Sequence, residues 1–593
     1  PTPTAIPFTF GTGPTNHIAW LHDMNLGRRL IDARFEEEAA KIVIRYGDFE
    51  VVEQYRVRPD PPRLDRSARL TQLGRDAMKL RGATFQTFGF RVENGGYAWF
   101  PERWPTPRSS FATIESGRRE SGGGTVAPVV TVLRPGRSLL WVSCADDMPS
   151  VFVRNADGRI GVGQSINAVG HLMPGKPQAF GVVSMVVADG DHRAALELMP
   201  RWLNDNAMAL PKDRAAWSEG AILYAFHPGG TIGSNWKDLG GFRAATERLV
   251  PSLQRLGVTA AWILPVEYRS PYWPLDYYRF MDGLGDAGAY RELVARLHGS
   301  GLKVIQDLVP HGGSPEAAHN KAHPEFMLRR EDGSTLRYWL NDFARQDWQD
   351  YIAGVAAHYI ERYDVDGYRV DACMGSKEPN WDPAIAYPRA SMAGLWGGLR
   401  MLERIRSTVK GIKPADGAIL AETQSVRHLP FCDLMYDFRL CYETLHGWHK
   451  MPAAEFVAAL VENLEDQRQA TPRGAIWLRH IESHDSLRSQ LWYGVEGMRA
   501  FYALSAWIDG VPMIYQEMEK GHAPALRRIN AIRLERPEIG KGTVNYRDVR
   551  QNCDFEQYIR FQHALQQRGV YFHPNQFETM FLSTAHTADD IAQ

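Results

Sequence analysis

Cysteine is scarce in this chain: there are five among 593 residues, and no two are spaced as Cys-x-x-Cys. This number and scatter support neither a disulfide framework nor a zinc site. No run of about eighteen apolar residues occurs, so no membrane-spanning helix is expected. The segment from Pro1 to His17 lacks the basic start and apolar stretch of a signal peptide, and no Asn-x-Ser/Thr site exists. These absences favour the cytoplasm, with secretion after signal removal as the alternative.

An excess of charge of either sign is also missing. Lys plus Arg number 68 and Asp plus Glu number 69, for a net charge of −1. The balance gives no electrostatic support for a nucleic-acid or membrane partner and favours a neutral substrate. Apolar residues make up 44% and charged residues 23%, as in packed globular proteins. A chain of this length is expected to form two or three domains.

The pattern along the chain predicts an N-terminal β-rich domain over residues 1–212. Short β-type runs there are broken by turn residues, which is typical of an antiparallel β-sandwich; they include Lys41 to Tyr46, Thr125 to Leu133, Ser138 to Ser143 and Gly181 to Val187.

The pattern then changes to short apolar strands that alternate with amphipathic helices. The eight strands that we predict are Ala221 to His227, Thr259 to Pro265, Lys303 to Val309, Gly367 to Cys373, Ala418 to Glu422, Leu434 to Phe438, Ala475 to Ile481 and Pro512 to Gln516. Eight such units predict an α/β fold, a (β/α)₈ TIM barrel, over residues 213–540. Residues 541–593 are left as a C-terminal extension of uncertain fold.

Acidic residues lie in or just after several of these strands, where the active sites of such barrels form. Asp371 follows Arg369 by two positions on a strand, so both side chains point to one face. A neighbouring guanidinium lowers a carboxyl pKa, which suits a nucleophile. Glu422 follows an apolar strand, where burial raises the pKa and suits a general acid and base. Two such carboxylates can cleave an acetal, with a third stabilising the transition state.

Six segments in order resemble the α-amylase superfamily, glycoside hydrolase family thirteen, over about residues 220–550. The segments are Tyr272 to Tyr278, Gln306 to His311, Asp366 to Asp371, Ala421 to Thr423, Glu482 to Asp485 and Gly510 to Tyr515. Each motif alone is weak, but six in the right order on the right strands are specific.

The resemblance implies a role for each matching residue. Asp371 is the expected nucleophile, Glu422 the general acid and base, and Asp485 the stabiliser of the transition state. The residues expected to bind or support the sugar are Arg369, His484, Tyr272, Asp307 and His311. The implied chemistry retains the α-configuration through a covalent glycosyl-enzyme.

The chain also departs from the family pattern. His311 and Gly312 stand where the family has Asn and His, and that Asn often binds calcium. We therefore predict no cofactor and no metal, with calcium as the one open candidate. Ser483 replaces an Asn before the His-Asp pair, and a Lys-His pair after Asp371 is missing, so the leaving-group side is expected to differ.

A short part of the tail resembles a different family. The segments Ala564 to Phe572 and Phe581 to Thr587 are similar to the C-terminal end of class III aminotransferases. No pyridoxal-phosphate lysine segment accompanies them, so we do not predict that cofactor.

The sequence therefore predicts an enzyme that cleaves or transfers α-glucosidic bonds in α-linked oligo- or polysaccharides. Hydrolysis and transfer stay open, because both use the same glycosyl-enzyme. The alternative is a non-catalytic α-glucan-binding protein on the same barrel, since a fold alone does not establish activity. An aminotransferase is a third hypothesis. No nucleic-acid or membrane partner is expected, and the oligomeric state is left open.

Overall fold

The computed structural model describes residues 8–13, 19–20, 28–76, 78–100, 108–111, 118–121, 129–143, 149–156, 159–166, 170–230, 239–330, 332–336, 340–374, 380–382, 395–542, 544 and 546. Residues 125–128 of one predicted strand and the aminotransferase-like segments of the tail lie outside the described residues. In the described part, strands follow one another up to residue 188, and strands alternate with helices from residue 223.

The N-terminal domain consists of antiparallel strands. Their bounds are β1 Phe8–Gly13, β2 Ala19–Trp20, β3 Arg28–Phe35, β4 Ala39–Tyr46, β5 Phe49–Pro59, β6 Pro62–Gln72, β7 Met78–Arg91, β8 Tyr97–Trp99, β9 Arg108–Ser110, β10 Arg118–Ser121, β11 Val129–Arg134, β12 Arg137–Ser143, β13 Pro149–Ala156, β14 Arg159–Ile166, β15 Gly170–Leu172 and β16 Gln178–Ala188. One sheet has the order β3-β4-β5-β6-β16-β12-β11-β8-β9. The other has the order β10-β13-β14-β7-β1-β2, with β15 beside β7.

These two sheets pack face to face because apolar residues alternate along their strands. On β5, Phe49 and Val51 are buried two positions apart, as a strand with one covered face requires. They share a cluster with Phe85 on β7 and Leu172 on β15, which belong to the opposite sheet. The predicted antiparallel β-sandwich is confirmed.

The following strands form the predicted closed parallel barrel and a hairpin beside it. Their bounds are β17 Leu223–Phe226, β18 Ala260–Ile263, β19 Glu267–Ser270, β20 Trp273–Phe280, β21 Lys303–Leu308, β22 Gly367–Val370, β23 Ala418–Ala421, β24 Leu434–Tyr436, β25 Trp477–Arg479 and β26 Val511–Tyr515. The barrel order is β17-β18-β21-β22-β23-β24-β25-β26, closed by β26 against β17, and β19 pairs with β20. Seven barrel strands lie inside their predicted bounds, and β26 begins one residue before its predicted start. The largest difference is at β22, which ends at Val370, three residues before the predicted Cys373. The predicted fold class is confirmed.

Helices connect these elements. Their bounds are α1 His192–Leu196, α2 Met199–Asp205, α3 Gly241–Ala244, α4 Val250–Leu256, α5 Ala287–Gly299, α6 Ala318–Ala322, α7 Gln346–Tyr363, α8 Leu395–Ile412, α9 Ala453–Ala470, α10 Ser489–Trp507, α11 Ala523–Glu535 and α12 Pro537–Lys541. Shorter 3₁₀ or π turns occupy Ala216–Ser218, Ala245–Leu249, Pro324–Phe326, Val426–Phe431, Arg439–Thr444 and Leu445–Lys450. Among the residues that the structure describes, no helix has the length and apolar character that crossing a membrane requires.

The N-terminal domain contacts the barrel through α1, α2 and the barrel helix α9. Trp99 on β8 is 1% exposed, and its indole N–H donates to Asp466 Oδ2 on α9 at 3.1 Å. The Tyr97 hydroxyl lies 2.8 Å from Nδ1 of His192 on α1. Apolar residues of the nine-stranded sheet and of the barrel belong to one continuous buried cluster.

Close packing at the start of β22 leaves room only for glycine. Gly367 has φ +148°, and a Cβ there would lie 2.0 Å from the Ala418 carbonyl oxygen on β23. Backbone atoms on both strands of a barrel cannot move apart without breaking the ladder.

We predict that Gly367→Ala lowers the free energy of unfolding by at least about 2 kcal/mol, because overpacking adds to an unfavourable backbone angle. Urea denaturation followed by tryptophan fluorescence measures this difference. The matched control is Gly354→Ala on α7, where an added Cβ meets nothing within 4 Å. That change should be neutral or stabilising by up to about 1 kcal/mol. Equal stability of the two variants would contradict the steric argument.

Candidate active site

The strand register brings the predicted residues to one end of the barrel. Asp307 on β21 pairs directly with Arg369 on β22, so their side chains point to the same face. Asp371 is the first residue after β22, and Glu422 is the first after β23. These residues therefore meet at the carboxyl ends of neighbouring strands, where barrel enzymes carry their active sites.

The guanidinium of Arg369 contacts three carboxylates at once. Nη1 lies 3.0 Å from Asp307 Oδ1 and 2.5 Å from Asp371 Oδ1, and Nη2 lies 2.5 Å from Glu422 Oε1. The Arg369 side chain is 0% exposed. A fixed planar fork suits such multiple pairing, and exclusion of water strengthens each contact. Arg369 is thus enclosed by acids rather than open to a ligand.

Asp371 is held in its ionised form. Its Oδ2 lies 2.9 Å from His311 Nε2, on the side opposite Arg369. Burial acts to raise the pKa of Asp371, but Arg369 and His311 outweigh it and keep the pKa below its usual range. The carboxylate is therefore available to attack an electrophilic carbon.

Glu422 has the opposite tendency. Burial raises the pKa of Glu422 well above its usual range. The positive charge of Arg369 acts to lower this pKa, and the negative charge of Asp371 acts to raise it. One of its oxygens, Oε2, accepts the Ala372 backbone N–H at 2.6 Å. Glu422 is thus suited to carry a proton near neutral pH beside an ionised Asp371.

Asp307 is buried beneath these groups at 0% exposure and accepts hydrogen bonds from several donors. Besides Arg369, Tyr272 donates its hydroxyl to Oδ2 at 2.8 Å and Trp262 donates its indole N–H at 3.2 Å. Burial raises the pKa of Asp307 to about 7, although Arg369 opposes the shift. Asp307 therefore fixes the position of Arg369 from below.

The Tyr272 ring is stacked on His484, with centroids 5.1 Å apart and planes 4° from parallel. His484 Nε2 lies 2.7 Å from the Tyr272 hydroxyl oxygen. Burial lowers the pKa of His484 to about 3, and Arg369 adds to this, so the imidazole is neutral. Because Tyr272 donates to Asp307, His484 donates to Tyr272. The two residues expected to contact sugar thus also orient each other.

Asp485 is the most exposed of the three candidate catalytic carboxylates, with 59% of its side chain accessible against 7% for Asp371 and 15% for Glu422. Its Oδ2 lies 3.2 Å from His484 Nε2. Ser483, at the position of the family's Asn, accepts the Asp485 backbone N–H at 3.1 Å and contacts the Tyr442 hydroxyl at 3.1 Å. Asp485 therefore lies on the open side of the site.

Two non-glycine residues at the site have left-handed backbone angles. Tyr272 has φ +57° in the turn between β19 and β20, and Ala372 has φ +45° directly after Asp371. Such angles are uncommon outside glycine, and they cluster at functional sites. They direct the Tyr272 ring toward His484 and the Ala372 N–H toward Glu422.

The sequence analysis missed three contributors. Trp262 on β18 donates to Asp307, the Ala372 amide binds Glu422, and the ring of Tyr436 on β24 lies 5.6 Å from the Arg369 guanidinium carbon. The inward direction of Trp262 follows from strand alternation, but nothing local in the sequence distinguishes it from a core tryptophan. The Ala372 contact depends on backbone conformation and has no sequence signal.

His311 stands where the family has a calcium-binding Asn, and its side chain differs chemically from a calcium ligand. Calcium takes oxygen ligands, whereas His311 supplies nitrogens, of which Nε2 faces Asp371 and Nδ1 lies 3.0 Å from the Gly312 carbonyl oxygen. The nearby amides of Asn341 and Asn320 bond each other at 2.8 Å. These contacts hold the segment through hydrogen bonds.

Comparison with known proteins identifies a family model that matches part of the barrel. Residues 227–348 match the model of the alpha-amylase catalytic-domain family. The match confirms the resemblance that the ordered motifs predict. It contains Tyr272, Asp307 and His311 and ends before Arg369, so the assignment of Asp371 and Glu422 depends on the motifs and the geometry.

Curated relatives show the same resemblance over a similar share of the chain. A 1,4-alpha-glucan branching enzyme GlgB of Pseudomonas putida is 27% identical over 248 residues, covering 36% of this chain and 32% of the relative. An oligo-1,6-glucosidase of Parageobacillus thermoglucosidasius is 28% identical over 199 residues, covering 31% and 33%. The alignments thus span about a third of the length of these curated relatives.

One solved structure has a similar fold over most of the chain. A GH36 alpha-galactosidase, AgaA of Geobacillus stearothermophilus, has a TM-score of 0.58 at 11% identity, covering 90% of this chain and 76% of the other. An alpha-amylase of Lactobacillus plantarum has a TM-score of 0.44 at 18% identity, covering 53% and 80%. The first similarity extends over both the N-terminal domain and the barrel.

We predict that Arg369→Gln lowers the free energy of unfolding by about 3–5 kcal/mol at pH 8, because buried acids lose their counter-charge. Without Arg369, the carboxyl pKa values rise in the folded state above their unfolded values. A carboxyl group whose pKa is higher in the folded state stabilises the folded protein fully at pH values below its unfolded-state pKa. This stabilisation disappears as the pH rises through the folded-state pKa. The loss of stability in the variant should therefore be smaller at pH 5 than at pH 8.

Urea denaturation at both pH values tests this prediction. The control is Arg404→Gln, which removes an exposed pair with Asp350 at 2.7 Å and should cost less than about 1 kcal/mol at either pH. A loss for Arg369→Gln that is the same at pH 5 and pH 8 would contradict the charge argument.

Proposed function

We propose that this protein is a retaining enzyme that cleaves or transfers α-glucosidic bonds. The observation that carries the proposal is the pair Asp371 and Glu422, bridged by one guanidinium and given opposite pKa shifts. Retaining glycosidases use two such carboxyl groups, one as the nucleophile and one as the general acid and base. One acid is ionised and the other protonated before substrate arrives.

Each residue then has a defined task. Asp371 attacks the anomeric carbon and forms an ester as the glycosidic C–O bond breaks, while Glu422 donates its proton to the departing oxygen. Glu422, now a carboxylate, takes a proton from water or a sugar hydroxyl, whose oxygen attacks the anomeric carbon and releases Asp371. Both steps invert at that carbon, so the α-configuration is retained.

Asp485 and the pair Tyr272–His484 complete the site on its substrate side. We assign to Asp485 the stabilisation of positive charge that develops on the sugar in the transition state, because it is the exposed carboxylate. The Tyr272 ring is positioned by His484 and Asp307 to cover an apolar sugar face.

An α-linked glucan is the substrate class that the relatives' names support, since one is a 1,4-alpha-glucan branching enzyme and another an oligo-1,6-glucosidase. Whether water or a sugar hydroxyl accepts the glycosyl group depends on the acceptor side of the site. The product pattern of the experiment below distinguishes hydrolysis from transfer.

We further propose that catalysis needs no calcium. The imidazole of His311 and the paired amides of Asn341 and Asn320 occupy the segment where the family's calcium-binding Asn would stand. Activity should therefore survive dialysis against a chelator.

We also propose a cytoplasmic location. Cys373, Cys432 and Cys441 are buried free thiols. Free thiols persist in reducing compartments.

We predict that Asp371→Asn lowers kcat on malto-oligosaccharides at least about 10³-fold, since a neutral amide cannot form the ester. Proton NMR of the anomeric region, with malto-oligosaccharides, α-linked disaccharides, sucrose and starch, measures turnover and the configuration of the first product. The isosteric control Asp364→Asn, remote from the site at the end of α7, should keep wild-type rates.

The variant Glu422→Gln separates the two roles. It should lose about 10²–10⁴-fold on oligosaccharides but far less on α-glucosyl fluoride, whose leaving group needs no protonation. Above the pKa of Glu422 the wild-type rate on oligosaccharides should fall, because the acid form disappears. Wild-type-like turnover by Asp371→Asn, or a β-configured first product, would refute the assignment. Binding of glucans without any turnover would instead favour the non-catalytic alternative.

A further inference from the structure

His192 on α1 lies at the junction between the sandwich and the barrel, and one of its ring nitrogens lacks a partner. The side chain is 0% exposed. Among the residues that the structure describes, Nε2 has no hydrogen-bond partner. A buried polar atom that stays unpaired costs free energy, so such atoms are nearly always paired. The groups that Nε2 faces therefore indicate what it binds.

Nε2 of His192 faces two carboxyl groups of α9. It lies 3.5 Å from Asp466 Oδ1 and 3.9 Å from Glu462 Oε1. These donor atoms all lie within 4.8 Å of one another. Glu462 and Asp466 are four residues apart on one helix, so their side chains lie on the same face. One nitrogen and two oxygens thus converge from the two domains.

The spacing of these atoms fits a metal ion better than a direct hydrogen bond. Zinc binds histidine nitrogen and carboxylate oxygen at about 2.0–2.2 Å, and tetrahedral geometry then places neighbouring ligand atoms about 3.3–3.6 Å apart. The 3.5 Å between His192 and Asp466 lies in that range, whereas N–H···O hydrogen bonds are usually about 2.7–3.2 Å long. Glu462 lies slightly further away and is 28% exposed, so it is the ligand that would adjust its position.

Neighbouring aromatic residues hold the two buried ligands. The Tyr97 hydroxyl lies 2.8 Å from Nδ1, the other ring nitrogen of His192. Trp99 donates its indole N–H to Asp466 Oδ2 at 3.1 Å, so the two oxygens of Asp466 face different groups. The Trp99 ring also stacks on His192, with centroids 5.7 Å apart and planes 22° from parallel. Outer contacts of this kind commonly orient the ligands of a metal.

Arg193 is the cation that competes for the same carboxyl groups. Its Nε lies 3.4 Å from Asp466 Oδ1, and its Nη2 lies 3.6 Å from Glu462 Oε1. Both distances exceed the roughly 2.7–2.9 Å of a strong charge-assisted hydrogen bond. The Arg193 side chain is 23% exposed, so it has access to solvent when another cation binds. A single guanidinium thus serves two acids through long contacts.

We propose that His192, Glu462 and Asp466 form a binding site for a divalent transition-metal ion, such as zinc, that links the sandwich to the barrel. A ligand set of one imidazole and two carboxylates suits such an ion. The sequence predicts no metal because these ligands come from segments far apart in the chain, without a metal-binding spacing.

The position of the site in the fold assigns the ion a structural role. α9 leads into the amino end of β25, whereas Asp371 and Glu422 follow the carboxyl ends of their strands. The site therefore lies away from the proposed catalytic residues, and the inference does not rest on the proposed function.

Isothermal titration calorimetry with zinc chloride tests the site on the full chain after dialysis against a chelator. We expect the wild type to bind one tight equivalent of zinc, and Glu462→Gln to bind it at least about 10-fold more weakly. Glu462 is partly exposed, so this variant should fold. The matched control is Glu455→Gln, at an exposed position two turns earlier on α9, which should keep the wild-type affinity. Equal affinity in Glu462→Gln, or no tight equivalent in the wild type, overturns the proposal.

The variant Arg193→Gln separates a metal site from a network of ion pairs. Removal of the competing cation should tighten zinc binding several-fold, since both carboxyl groups become available to the metal. A network that only pairs charges would lose its counter-charge in this variant without gaining affinity for zinc. Zinc binding that is unchanged or weaker in Arg193→Gln would therefore overturn the proposed arrangement.

Thermal unfolding tests the structural role. At a zinc concentration about a hundredfold above Kd, the Tm of the wild type should rise by about 2–4 °C, because the ion binds only the folded site, and the Tm of Glu462→Gln should not change. A wild-type Tm that does not respond to zinc contradicts a structural ion. None of these readouts uses turnover, so inactivity on every glucan would count against the proposed function alone.

Discussion

One guanidinium organises the carboxyl end of this barrel. Arg369 is closed off from solvent, and its nitrogens contact Asp307, Asp371 and Glu422. Three acids cannot all ionise around a single cation in a place without water, so their proton affinities must diverge. Asp371 stays ionised because Arg369 and His311 outweigh its burial, whereas burial outweighs Arg369 at Glu422 and raises its pKa.

The sequence was sufficient to predict the barrel strands and the acids at their ends. Apolar runs such as Ala418–Ala421 are buried along their whole length, and a short continuous apolar run predicts a buried strand. What could not be predicted depends on contacts between distant segments. The contact of His311 with Asp371 depends on the turn after His311, where Gly312 and Gly313 leave no room for a Cβ. The orientation of Tyr272 depends on its positive φ in the turn between β19 and β20. The roles of the site residues in catalysis stay predictions until they are measured.

The sequence comparisons and the structural comparisons point to different glycosidase families. The motifs and the matched family model point to α-amylase-type catalytic domains, whereas the similarity that spans both domains is to a GH36 alpha-galactosidase at 11% identity. Similarity of shape at that identity indicates a shared arrangement of a β-sandwich and a barrel, and sites differ freely on a common scaffold. The side chains at the strand ends are therefore the better guide to the bond that is attacked.

The contact between Trp99 and Asp466 connects the two domains at a helix that leads into the seventh barrel strand. His484 and Asp485 follow that strand. The sandwich therefore packs against the helix that precedes the segment with the exposed carboxylate of Asp485. Because sheet and barrel share one buried cluster, neither can diverge freely without the other. Removing the N-terminal domain would therefore uncover apolar side chains of the barrel, and the isolated barrel would tend to aggregate.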